Sequence, residues 1–425
     1  MHGQSSSTKP PEPKQRMATD PIDVVGYTLT SSLGAGVECT RESLRTNRGG
    51  LATASWPNCD VQCHLGQMTL PETSDQVPQL DGGRLSRNNA SIAWALQQDE
   101  FTALVASAVK RLGAARVGLV MGTSTSSIDR TEAAYAALGE DGRFSQDHQQ
   151  PLTHNPHAPG DFVASELGLL GPRVTISAAC ASSAKVFATA QRWLNQGWVD
   201  ACVVGGADSL CLSVIYGFHS LQLVAEDACR PFDTDRSGIS LGEAAGFALL
   251  QRAPLLGEEV GEEMAGEQAR DQQQLKLLGV GESCDAYHMS SAHPEGLGAR
   301  LSMERALAAA GLGMEDIDYI NLHGTGTRAN DTTEGKVCAE LMSAKTLASA
   351  TKSWTGHTLG AAGIVEAILC LDALKTGFVP GTRNTQSVED NFPLLLESTE
   401  ANICTALSNS FGFGGNNCTL VFGKS

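Results

Sequence analysis

A chain of 425 residues has room for about three ordinary domains or for one large α/β unit with a doubled core. Thirty Lys and Arg against 47 Asp and Glu leave a net charge of −17, which argues against a nucleic acid backbone or an anionic membrane as the main partner. With 41% apolar residues, 18% charged residues and 45 glycines, the composition suits a large core joined by tight turns. It excludes general disorder, collagen and coiled coil.

The first 20 residues, MHGQSSSTKPPEPKQRMATD, lack an apolar stretch and read as a disordered tail or expression remnant, with Met17 an alternative start. No apolar run reaches the ~20 residues of a membrane helix. The twelve cysteines are scattered singly through apolar text and read as reduced, buried thiols of a cytoplasmic enzyme. Cys59, Cys63 and His64 form a local cluster, but C-x3-C-H without a second ligand pair predicts no metal site.

Residues 90–113 carry apolar side chains at helical spacing up to a Gly stop, and 116–122 (RVGLVMG) read as a strand. From Ser124 to Gly160 the text turns polar and rich in His and Pro, which predicts an excursion over the surface or at a subunit contact. A strand at 174–180, a helix ending at Gly197 and a strand at 200–206 follow. Residues 258–274 are acidic and Gln-rich, a solvated junction. The grammar then restarts with the strand KLLGVGE, the helix LSMERALAAAGL, the strand YINLHG, a helix through ILCLDALKTG, and two strands around the turn in ICTALSNSFGFGGNNCTLVFG. Two α/β halves, 21–270 and 271–425, with polar residues at strand ends, place a site between them.

Four segments carry chemistry. Cys180 sits where a strand meets a helix, so first-turn N–H groups and the helix dipole favour its thiolate. In INLHGTGT, His323 ends a strand and Thr325 and Thr327 add hydroxyls in a Gly-rich loop. In TKSWTGHTLGAAGIVEA, Lys352 and His357 flank a turn, GAAG allows close helix packing, and Glu366 can pair with a buried lysine. NSFGFGGNN is a turn able to present backbone donors to an oxyanion. A cysteine, two histidines, a lysine and a Gly-rich turn at strand ends suggest acyl transfer through a thioester.

Together ISAACASS, VVGGAD, CRPFDTDRSGISLGEAAG, HGTGT, KSWTGHTLGAAG and NSFGFGGNN, in that order from about Val24 to Phe422, resemble the elongating β-ketoacyl-acyl carrier protein synthases. The resemblance implies a thiolase-like fold: duplicated α/β halves in an α-β-α-β-α layering. It also implies decarboxylative condensation of a malonyl carrier thioester with a Cys-bound acyl chain, in fatty acid, polyketide or aryl polyene elongation. By the same resemblance Cys180 is the acylated nucleophile, His323 and His357 are the catalytic histidines, and Lys352 pairs with Glu366. Thr325 and Thr327 hold the pantetheine arm, and Phe413 is a gating residue whose N–H joins that of Cys180 in the oxyanion hole. No cofactor of its own is implied, the phosphopantetheine belonging to the acyl carrier protein. The implied assembly is a homodimer, or a heterodimer with a ketosynthase-like chain-length factor.

Departures from the family pattern are Arg236-Ser237-Gly238 for R-D-G and Gly242-Glu243-Ala244-Ala245-Gly246 for GEGAG, both read as lying away from the catalytic set. Segment 217–228 has no Lys or Arg with which to meet an acidic carrier. Thr125 stands where elongating members often carry a bulkier apolar residue at the end of the acyl pocket, so it is taken as substrate-lining. A thiolase would need a second catalytic cysteine near Phe411-Gly412-Phe413, and Cys418 lies past that motif. A chain-length factor would lack the nucleophile.

Overall fold

The computed structural model describes residues 20–71, 86–149, 153–252 and 274–424. The expected N-terminal tail up to residue 19, most of the acidic junction (258–273) and the boundary between halves at 270/271 lie outside the described residues.

The main sheet has eleven strands, and ten of them form one path. From one edge the first half runs Arg173–Ile176, Val117–Gly122, Ala201–Asp208, Ala244–Arg252, Ile22–Ser31. From the other edge the second half runs Leu347–Ser349, Tyr319–Asn321, Thr405–Gly412, Asn416–Lys424, Leu275–Cys284. In chain order both halves read third, second, fourth, fifth, first. Directions match as well: the three outer strands of each half are parallel and the inner pairings antiparallel. The halves join where Ile22 pairs with Leu277. This is the duplicated arrangement the sequence implied.

Layering follows from which faces are apolar. All six residues of Val117–Gly122 and all eight of Ala201–Asp208 are buried, as expected of parallel strands covered on both faces. Helix Ala362–Thr376 is buried all round from Ala362 to Leu374, the signature of a core helix. It packs on helix Ser182–Asn195, and each of the two touches strands of both halves. Close approach here depends on small residues: a Cβ on Gly363 would lie 2.5 Å from the Ala184 nitrogen, and one on Gly122 2.6 Å from the Ser183 Cα. Helices Arg87–Leu96, Phe101–Leu112 and Ala158–Glu166 cover the outer face of the first half, and Leu297–Ala310 with Arg328–Leu341 that of the second. The order is therefore α-β-α-β-α. Among the described residues no helix is long and apolar enough to cross a membrane.

Several expectations need correction. The helix expected over 90–113 is two helices, because Asp99 and Glu100 take left-handed φ of 53° and 55°. The break serves another element, since the Asp99 carboxylate accepts the Val37 N–H at 3.1 Å and caps helix Val37–Arg45, whose own N-cap is Gly36. The strand expected to reach Cys180 stops at Ile176. The 124–160 excursion contains helix Ile128–Ala136 and the start of Ala158–Glu166. Cys39, Cys284 and Cys404 are exposed, not buried.

Candidate active site

Cys180 stands on a sharp elbow between strand Arg173–Ile176 and helix Ser182–Asn195. The turn forces Ala179 to a φ of 49°, and the Ser182 hydroxyl braces it by accepting the Ala178 N–H at 2.8 Å and donating to the Ala179 carbonyl at 2.6 Å. The Phe413 and Cys180 N–H groups both act on the sulfur. Phe413 belongs to the tight turn between Thr405–Gly412 and Asn416–Lys424.

His357 Nε2 lies 3.0 Å from Cys180 Sγ. The histidine is held by two backbone bonds, its N–H to the Ser240 carbonyl at 2.7 Å and its carbonyl from the Gly242 N–H at 2.9 Å. Its Nδ1 accepts the Leu359 N–H at 3.1 Å, so in the neutral ring the proton sits on Nε2. His323 follows strand Tyr319–Asn321, with its ring 5.6 Å from that of His357 and perpendicular to it. Lys352 Nζ donates to His323 Nδ1 at 3.1 Å, to the His323 carbonyl at 2.6 Å and to Glu366. His323 therefore also carries its proton on Nε2. Burial and then the Lys352 charge hold both imidazoles well below their ordinary 6.5, His357 adding to the effect on His323. The site thus presents two neutral N–H donors.

Burial opposes the Cys180 thiolate that the helix start favours. Burial pushes the thiol up to about 11, outweighing Lys352 and the Phe413 and Cys180 N–H groups, which pull it down. Burial likewise pushes Glu366 up to about 7, against the pull of Lys352. Cys180 Sγ and the two imidazoles offer ligand atoms within 4.8 Å of one another, a spacing that a soft metal ion tolerates. The donor set does not fit one, because each Nδ1 already faces a donor and a metal on Nε2 would demand imidazolate beside the Lys352 ammonium.

The sulfur and both imidazoles open into a cavity of about 260 Å³ that also touches Thr325, Thr327 and Phe413. The two threonine hydroxyls bond each other at 2.9 Å, and Thr327 also caps helix Arg328–Leu341. Phe413 packs against Phe218, 5.8 Å between ring centres, and Phe218, Leu221 and Leu223 form an apolar wall, so segment 217–228 is a wall of the site. Thr125 is not part of this cavity. Its hydroxyl is bound to the buried Asp208 carboxylate at 2.8 Å. Cys418 is fully buried in the central core, away from the site. His64 has both ring nitrogens engaged, with the Glu226 carbonyl and the Thr53 hydroxyl, while Cys63 packs in an apolar cluster.

Sequence reasoning missed three residues. Glu334 accepts the His323 and Gly324 N–H groups at 2.8 and 2.9 Å, and Asp331 accepts those of Thr325 and Gly326 at 3.0 and 3.1 Å. Their spacing, i and i+3 in the first turns of a helix directly after HGTGT, was the available signal. Arg236, fully buried, reaches the Thr327 carbonyl at 3.4 Å and Glu389 at 2.6 Å. The Arg236-Ser237-Gly238 departure therefore touches the threonine loop. Glu243 holds Arg87 through both oxygens and stays apart from the cavity.

Residues 19–254 match the family described as Beta-ketoacyl synthase, N-terminal domain, and residues 276–386 its C-terminal domain. Nodulation protein E of Rhizobium sp. (strain N33) is 34% identical over 72% of this chain and 75% of that protein. The 3-oxoacyl-[acyl-carrier-protein] synthase 2 of Vibrio cholerae is 35% identical over 74% of this chain and 77% of that protein. Among solved structures, a chain of the complex of the ketosynthase ApeO with its chain length factor ApeC from Xenorhabdus doucetiae aligns with a TM-score of 0.82 and 35% identity, covering 96% of this chain and 98% of the other.

Proposed function

We propose that this chain, which belongs to the beta-ketoacyl synthase family, condenses a malonyl carrier thioester with an acyl group held on Cys180. The neutral imidazoles of His323 and His357 and the Cys180 and Phe413 N–H groups suit a reaction which forms two oxyanions in turn and needs no imidazolium.

In the first half-reaction the Cys180 sulfur attacks an acyl carrier thioester, and the tetrahedral oxyanion is met by the Cys180 and Phe413 N–H groups. Collapse expels the carrier thiol, which takes the proton that Cys180 gives up, and leaves acyl-Cys180. A malonyl thioester then enters along Thr325 and Thr327, whose hydroxyls suit the amides of a pantetheine arm. Its terminal C–C bond breaks, carbon dioxide leaves, and the electron pair becomes an enolate whose oxygen takes hydrogen bonds from His323 and His357. The enolate carbon attacks the Cys180 thioester and forms the new C–C bond. The Cys180 thiolate departs, and the product is a β-ketoacyl carrier two carbons longer. Lys352 and Glu366 serve by orientation, Lys352 keeping the His323 proton on Nε2.

The chain requires no small-molecule cofactor of its own in this reading, and its substrate partner is an acyl carrier protein. Cytoplasmic placement fits twelve cysteines without a disulfide. The likeness to a chain of the ApeO–ApeC complex supports a heterodimer with a chain length factor as one assembly, beside a homodimer. Incubation with acyl carrier thioesters followed by intact mass tests the proposal. Wild-type protein gains an acyl mass, and Cys180→Ala, whose side chain suits the elbow between Ala179 and Ala181, does not while keeping its circular dichroism spectrum. An acyl gain on Cys180→Ala refutes the assignment.

A further inference from the structure

Asp208 ends strand Ala201–Asp208 and is fully buried. Its carboxylate accepts hydrogen bonds from neutral donors: the Thr123 hydroxyl at 2.5 Å, the Ser124 N–H and hydroxyl at 2.9 and 2.7 Å, the Thr125 N–H and hydroxyl at 3.0 and 2.8 Å, and the Gly360 N–H at 2.6 Å. A buried carboxylate is tolerated only when hydrogen bonds replace its lost hydration, so such a group fixes whatever donates to it. Five of the six bonds come from one loop of the first half. The sixth reaches across to the second half, three residues beyond His357.

That sixth donor bears on the histidine. The Leu359 N–H is what His357 Nδ1 accepts, and Leu359 holds a left-handed φ of 57°. A leucine keeps that conformation only where its surroundings over-determine it. Two bonds flank the strained residue on its C-terminal side, Gly360 N–H to Asp208 and Ala361 N–H to the Thr358 carbonyl at 3.0 Å. Contact at Gly360 is tight as well: a Cβ there would lie 2.6 Å from Asp208 Oδ2 and from the Ser124 nitrogen.

We infer that Asp208 is a positioning residue for His357: by clamping the Gly360 N–H it holds Leu359 in the conformation whose N–H keeps the His357 proton on Nε2. The inference rests on the reading that His357 donates to the enolate. It also accounts for the run of three hydroxyl residues, Thr123, Ser124 and Thr125, as the cradle of this carboxylate.

The test uses the full chain labelled with 15N-histidine, the His357 ring signals being assigned by their loss in His357→Gln. Wild type is measured first. If it neither acquires an acyl mass nor releases carbon dioxide from malonyl carrier, the proposed function itself fails. Given an active wild type with a single Nε2–H tautomer, Asp208→Asn is expected to show mixed tautomers at His357 and normal acylation of Cys180. Carbon dioxide release should fall at least about tenfold, short of the ~10⁴ that a wrong tautomer costs in a hydrolase triad. A folded Asp208→Asn with the wild-type tautomer overturns the inference, whether its carbon dioxide release is untouched or falls together with acylation. Should Asp208→Asn not fold, Thr125→Val, which removes one hydroxyl from the same carboxylate, decides in the same way with a smaller expected shift.

Discussion

Replacing His323 with alanine separates the two half-reactions, and the hydrogen-bond network sets what survives. Lys352 loses one of three acceptors, His323 Nδ1, but keeps the backbone carbonyl of residue 323 and Glu366, so its charge remains paired. The sulfur is untouched, since its neighbours are His357 Nε2 at 3.0 Å and the N–H groups of Phe413 and Cys180. Acylation should therefore proceed near the wild-type rate. Decarboxylation loses one of two donors to the enolate oxygen, and removal of one oxyanion donor costs roughly 10²–10³ in rate, or about 2.7–4 kcal/mol of barrier. The truncated ring also leaves a void beside Phe411, whose ring lies 5.8 Å away, so a stability loss on the order of 1–3 kcal/mol accompanies the kinetic one. Intact mass and labelled carbon dioxide read from one sample report both half-reactions. If His323→Ala loses acylation yet decarboxylates normally, the roles are reversed and the two-donor account fails.

Two further outcomes follow from the buried charges. Lys352→Met strands the Glu366 carboxylate, whose second oxygen already lacks a partner, and should cost about 3–5 kcal/mol in urea unfolding; adding Glu366→Leu should recover most of it without restoring decarboxylation, and equal stability of single and double variants contradicts the pairing. Because both imidazoles are held well below 6.5, their neutral form persists as pH falls through that value, so the ring 15N shifts of His323 and His357 should stay those of neutral imidazole from about pH 8 to about pH 6. A change of those shifts centred near 6.5 would show that the rings titrate as exposed histidines.

Much of the site was legible because its groups sit at element ends. An apolar run, a cysteine and an amphipathic helix mark an elbow, and a lysine among apolar neighbours followed by a glutamate on a buried helix marks a pair. The helix break at Asp99 and the Asp208 clamp were not legible, since each residue serves a partner distant in the chain: Val37 is 62 residues from Asp99, and Gly360 is 152 from Asp208. The burial that opposes the thiolate was not legible for a related reason. A helix dipole can be inferred from neighbouring residues, but the desolvation that opposes it depends on how completely the folded chain encloses the sulfur. The bond from Thr125 to Asp208 was not legible either, because a threonine beside a pocket motif gives no sign of a buried carboxylate waiting for its hydroxyl.

The shared strand order of the two halves puts unlike residues at like stations. Cys180 follows the third strand of the first half, and Lys352 and His357 follow the third strand of the second; His323 follows the second strand of its half, where the other half has Thr123, Ser124 and Thr125. Two identical halves would present the same residue at both stations. Here one half carries the cysteine and the other both histidines, so that symmetry in the scaffold coexists with asymmetry in the chemistry. Drift at one station can thus alter acyl loading without touching carbanion formation, and the reverse.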